Sequence, residues 1–159
     1  GIEFPYGKFS EDLFTIYKTI LKSRSITYIG FDGYFYYYRD EGSIVVSGYK
    51  KKHLEALDAV DDIEESVKGK GRFDNALSTQ YINVIYDIAA RNPLLSEFRN
   101  KRIQNNLKAH RMSVLKDSNA PKRLRGFAAI SLLGNRIVLK VVVARNRRWK
   151  VQRRETKKR

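Results

Sequence analysis

Cysteine is absent from the chain, which excludes a disulfide framework and every zinc site built on thiolates. Histidine is scarce as well. His53 and His110 are the only two, 57 residues apart, and neither has a partner at metal-ligand spacing. No metal or cofactor is therefore expected. Long apolar runs are also missing. Stretches such as 137–139 and 141–144 fall far below the roughly 18–20 residues of a membrane span, and no secretory signal is visible. Neither a P-loop nor a dinucleotide-binding glycine pattern occurs, since Gly69 and Gly71 lack the strand–turn–helix context. The expectation is an intracellular protein of the cytoplasm or nucleus.

What is present is charge of one sign, gathered at one end. Residues 1–98 hold 12 Lys and Arg against 15 Asp and Glu; residues 99–159 hold 20 against two, Asp117 and Glu155. The formal net charge of +15 thus arises in the last third of the chain. Such asymmetry predicts a polyanionic partner, because each cation that meets a phosphate releases condensed counterions. Nucleic acid is the expected partner, DNA ahead of RNA. An acidic protein partner of an assembly protein is the alternative. A membrane surface is not expected, for want of a basic amphipathic helix with an aromatic-rich apolar face.

The apolar fraction of 42% over 159 residues suffices for one packed domain. Gly1-Ile2-Glu3-Phe4 has the look of a cloning scar left after tag cleavage. Residues 5–154 then form the domain, acidic to neutral over 5–98 and strongly basic over 99–154, and 155–159 form a disordered basic tail.

Apolar spacing predicts a helix over 10–22, capped by Ser10, with Leu13, Ile16, Tyr17, Ile20 and Leu21 on one face. Residues 25–48 read as a three-stranded antiparallel meander with turns at Asp32-Gly33 and Asp40-Glu41-Gly42. Alternation places Tyr34, Tyr36 and Tyr38 on one face of it and Phe35 and Tyr37 on the other. A second helix over 50–68 turns Leu54, Leu57, Val60, Ile63 and Val67 inward and its acids to solvent. The pairs Asp61-Asp62 and Glu64-Glu65 could hold a metal only if another segment folded over them. Further helices are read over 75–91, capped by Asp74 and stopped by Asn92-Pro93, and over 94–111. Residues 112–125 read as a loop. The segment 127–133, the turn Gly134-Asn135 and 136–144 read as a hairpin, with 148–153 as a third strand. The expected class is therefore α+β: an N-terminal helix, a three-stranded meander, a helical middle and a basic C-terminal β-hairpin or meander.

The run Asp32-Gly33-Tyr34-Phe35-Tyr36-Tyr37-Tyr38-Arg39-Asp40, followed by a strand and the helix over 50–68, resembles the arm-type DNA-binding module of phage tyrosine integrases. It is also similar to the plant AP2-type module. The resemblance covers about residues 26–68. It implies three strands laid against one helix, with the sheet in the major groove of DNA, and a phage or viral source. No integrase catalytic domain accompanies it.

The main site candidate is a basic cluster of Lys122, Arg123 and Arg125 with Arg145, Arg147, Arg148, Lys150, Arg153 and Arg154. Trp149 among them suits base stacking beside phosphate contacts, and arginine's planar fork suits phosphate pairing. Arg99, Lys101, Arg102, Lys108 and Arg111 extend the cluster along the preceding helix. A catalytic alternative is a small basic ribonuclease or toxin-like nuclease. In it His110 serves as general acid or base, and Glu97 and nearby arginines stabilise the pentacoordinate phosphorus.

Overall fold

The computed structural model describes residues 1–31, 33–34 and 48–156, the last ten of these by backbone alone. Among the described residues every regular element is a helix. The order is α1 (Glu11–Lys22), α2 (Glu55–Val67), α3 (Asp74–Ala90), α4 (Leu95–Phe98), α5 (Lys101–Lys116), α6 (Lys122–Ser131) and α7 (Asn135–Thr156). Short 3-10 turns, Lys51–Leu54 and Gly71–Phe73, lead into α2 and α3.

The hub is α3. Ser78, Tyr81, Ile82, Val84, Ile85, Ile88 and Ala89 are all buried, and α2, α5, α6 and α7 each pack against this helix. A helix that is apolar most of the way round must be covered on several sides. Leu57 and Val60 of α2, Ile103, Leu107 and Val114 of α5, and Leu124 and Phe127 of α6 join it in one core.

Of the six acids of α2, Asp61, Glu64 and Glu65 are exposed and Glu55, Asp58 and Asp62 half-buried, and several of them tie helices together. Asp62 accepts a 2.7 Å hydrogen bond from the Tyr17 hydroxyl and pairs with Lys18 at 3.1 Å, which ties α1 to α2. Asp58 and Asp61 hold the Arg102 guanidinium of α5. The Tyr81 hydroxyl of α3 lies 2.7 Å from both Asp61 Oδ1 and Glu64 Oε2. Burial and these two carboxylates push the Tyr81 phenol far above its ordinary range. Asp61, Asp62, Glu64 and Glu65 are thus each engaged by protein donors, Glu65 by Lys68 at 3.1 Å. The Arg102 pairs are more than a third exposed, so each is worth at most about 1 kcal/mol after screening. Apolar burial does most of the stabilising.

The α+β class is overturned. Residues 25–31 form no strand, and Ile26, Tyr28, Ile29 and Phe31 are 67–93% exposed. Strand propensity reports a fit to a half-buried pleated surface, and among the described residues no such surface lies beneath these side chains. Residue 32 and residues 35–47, which carry most of the expected meander and the aromatic run, lie outside the described residues.

The C-terminal hairpin is corrected to α6 and α7. In α6, Leu124, Phe127, Ala128 and Ser131 are buried, the i, i+3, i+4, i+7 spacing of one helix face. Pro121, whose carbonyl accepts from the amides of Leu124 and Arg125, opens this helix where a missing N–H costs nothing. Gly134, the expected hairpin turn, instead starts α7. It takes φ +105°, a conformation strained for any residue with a Cβ, and its carbonyl accepts from the amides of Ile137 and Val138. A strand would put 138, 140, 142 and 144 on one face. In fact Val138 and Val142 are 0% and 4% exposed, while Lys140 and Ala144 face solvent.

Smaller corrections follow the same physics. The helix expected over 94–111 is broken at Asn100, whose side chain accepts from the Arg102 amide and caps α5. Buried Val114 then carries α5 on to Lys116, which shrinks the expected 112–125 loop to 117–121. Ser10 precedes α1 at φ 61° without a side-chain cap, and Ile16, Ile20 and Leu21 stand exposed. Leu13, Thr15 and Tyr17 make the inward contacts of α1.

Candidate anion-binding surface

Three side-chain amides fix the basic half of the chain. Gln104 Nε2 donates to the Phe98 carbonyl at 2.7 Å, closing α4 against α5. Asn135 Nδ2 donates to Gln104 Oε1 at 3.0 Å, which seats the start of α7 on α5. Asn146 Nδ2 donates to the Ala90 carbonyl at 2.8 Å, satisfying an orphan acceptor at the end of α3. The cations of α5, α6 and α7 are thereby carried on helices whose mutual positions are held by polar locks as well as by core.

The expected basic residues fall into two groups. Arg102 is held by Asp58 and Asp61, so it is a structural cation. Arg111 is half-buried and donates to the Ser131 carbonyl at 3.5 Å, at the C-terminal end of α6 where a positive group is favoured. Arg125 is also half-buried, and the Nε atoms of Arg111 and Arg125 are enclosed without a hydrogen-bond partner among the described residues. Arg123 leans back on α3, donating to Asn83 Oδ1 at 3.1 Å with its guanidinium 5.7 Å from the Tyr86 ring centroid. Arg99, Lys101, Lys108, Lys122 and Arg145 are exposed. Arg147, Arg148, Trp149, Lys150, Arg153 and Arg154 all belong to α7 and not to a strand.

Sequence reasoning missed Arg136 and Lys140, which are exposed on the first turns of α7. Their four-residue spacing, in step with Val138 and Val142, was the signal available. With them α7 carries eight Lys and Arg in 22 residues, against the single acid Glu155. Among the described residues, Arg102 is the one cation between Arg99 and Arg145 that forms a salt bridge. Lys101, Lys108, Lys122, Arg136, Lys140 and Arg145 therefore form no ion pair among the described residues.

No protein-family profile, curated protein or solved structure matches the chain. The chemistry of this surface is the guide to what it binds.

His110 and Glu97 are not brought together. Glu97 turns back to accept the Leu94 amide at 2.7 Å. His110 lies stacked on Tyr81 with centroids 4.3 Å apart and rings 8° from parallel, its Nδ1 sharing a 3.1 Å hydrogen bond with the Ser78 hydroxyl. Burial lowers its pKa from the ordinary 6.5, with Glu64 opposing the shift. His53 is buried and shifts the same way, chiefly by burial and then by Arg91. At these two rings the unfolded chain thus binds more protons than the folded one as pH falls below about 6.5. The stability these neutral rings confer is present above that value and lost as pH falls through the folded pKa. Acidification from about pH 7.5 to about pH 5 should therefore lower the urea midpoint. In His110→Phe, which keeps the stack and cannot take a proton, the fall should be smaller. An identical fall in both proteins would show that His110 does not contribute.

Among the described residues no helix is long and apolar enough to cross a membrane. Yet apolar side chains stand in water beside the basic ones. Leu132 and Leu133, between α6 and α7, are 51% and 66% exposed, and Ile137 and Val141 of α7 are 43% and 40% exposed.

Proposed function

We propose that this chain is a binding module whose α5–α7 half grips an extended polyanion through its outward Lys and Arg side chains. One observation carries the reading. Lys101, Lys108, Lys122, Arg136, Lys140 and Arg145 are exposed and outside every ion pair among the described residues. A partner supplying several anionic groups in a row gains from each of them, and counterion release adds to the attraction. Asp58, Asp61, Asp62 and Glu64 of α2, by contrast, are engaged in contacts among α1, α2, α3 and α5. A nucleic-acid backbone is one polyanion of this kind. The exposed lysines and arginines suit phosphate contacts, which position a partner without reading its sequence.

The test is a salt titration of binding to labelled duplex DNA, single-stranded DNA and duplex RNA, with substrate integrity followed on a denaturing gel. The logarithm of affinity should fall linearly with the logarithm of salt, with a slope of about −4 or steeper on duplex DNA, as expected for five or more phosphate contacts. The three ligands should remain intact. Absence of binding to all three at low salt would overturn nucleic acid as the polyanion, and cleaved substrate would shift the reading toward His110 chemistry.

A further inference from the structure

We infer that the polyanion met by α7 is the surface of an anionic lipid bilayer, on which the first turns of this helix lie flat. The inference rests on the polyanion reading and names the partner of that same surface. Its observation is a pair of stripes on α7. Residues four apart lie one above the other on a helix. Val138 and Val142 form the buried stripe. Ile137 and Val141 form an exposed apolar stripe, and Arg136 and Lys140 form an exposed basic one. Leu132 and Leu133, more exposed still, stand where α6 gives way to α7.

Charge alone would satisfy a nucleic-acid backbone, and four aliphatic side chains left in water contribute nothing to that contact. A bilayer uses both features. Headgroup phosphates take the lysines and arginines, and the acyl boundary removes the aliphatic side chains from water. A membrane surface is not expected from the sequence for want of a basic amphipathic helix with an aromatic-rich apolar face. The 22-residue helix Asn135–Thr156, read from the sequence as strands, supplies the basic helix, with an exposed apolar stripe that is aliphatic, Ile137 and Val141. It lies on the membrane and does not span it: eight Lys and Arg in its length forbid insertion across the hydrocarbon.

The test uses the full chain and sedimentation with vesicles of phosphatidylcholine alone or mixed with phosphatidylglycerol. Binding is expected on the mixed vesicles and not on phosphatidylcholine. A variant carrying L132Q, L133Q, I137Q and V141Q changes exposed positions only, and glutamine keeps helix propensity. It should lose about tenfold or more of vesicle affinity while duplex DNA binding stays within about twofold. The pair R136Q and K140Q should weaken both. If the aliphatic variant binds vesicles as well as the parent does, the lipid inference is overturned. Binding to DNA but not to vesicles overturns it too, and leaves the polyanion reading standing. Binding to neither removes both. If the parent self-associates through this patch and the variant is monomeric, a second copy covers it and the lipid inference falls.

Discussion

Replacing Arg136, Lys140, Arg145, Arg147 and Arg148 with glutamine is expected to weaken polyanion binding about 100-fold or more at about 0.1 M salt. The reason is additive counterion release. Each cation that meets an anionic group contributes roughly 1 kcal/mol at that salt, so three of the five acting fully would account for the loss. The salt slope should fall by nearly one for each contact removed. Thermal stability should hardly change. Arg136, Lys140 and Arg145 are exposed and lie outside the ion pairs among the described residues, and glutamine is a good helix former. Arg102→Gln provides the contrast. That side chain is spent on Asp58 and Asp61, so its loss should lower stability by about 0.5–2 kcal/mol and leave affinity within about twofold. Equilibrium binding and urea denaturation on the same preparations would check both halves. A quintuple variant that binds as the parent does would remove α7 from the interface.

The second large effect is structural. Val142→Asp should destabilise the protein by about 3 kcal/mol or more, because it places a carboxylate without a partner in the core. Val141→Asp, one residue away, should cost only about 0.5 kcal/mol. The contrast follows from exposures of 4% and 40% at adjacent positions and is read from urea midpoints. Equal losses at the two positions would contradict the packing of α7. Val138→Asp should behave like Val142→Asp, since Val138 is 0% exposed and one turn away.

The helices at 11–22, 55–67 and 74–90 were legible because their apolar residues recur at helical spacing between recognisable start and stop signals. The C-terminal third was misread for a physical reason. The stretch 137–143 is dense in isoleucine and valine, whose intrinsic preference is for strands. Packing of Val138 and Val142 on α3 outweighs that preference, and the lysine- and arginine-rich continuation is itself a good helix former. Gly134-Asn135 compounded the error, because the same dipeptide that bends a hairpin also allows a helix to start. The spacing of Leu124, Phe127, Ala128 and Ser131 is visible in the sequence, but reading 112–125 as a loop and 127–133 as a strand cuts across it. As for the site, the location of the charge could be read from the sequence, but the allocation of each cation could not. Nothing in the sequence shows that Arg102 answers Asp58 and Asp61, residues 44 and 41 positions away.

The most direct test of the central claim is a backbone amide shift map of the full chain titrated with a short duplex DNA at low salt. Shifts concentrated on the outward turns of α5, α6 and α7, with Arg136, Lys140 and Arg145 among the largest, are the predicted result. Raising the salt should reverse them. Shifts centred on α1 or α2, or none at low salt, would contradict the assignment of the basic helices as the binding surface.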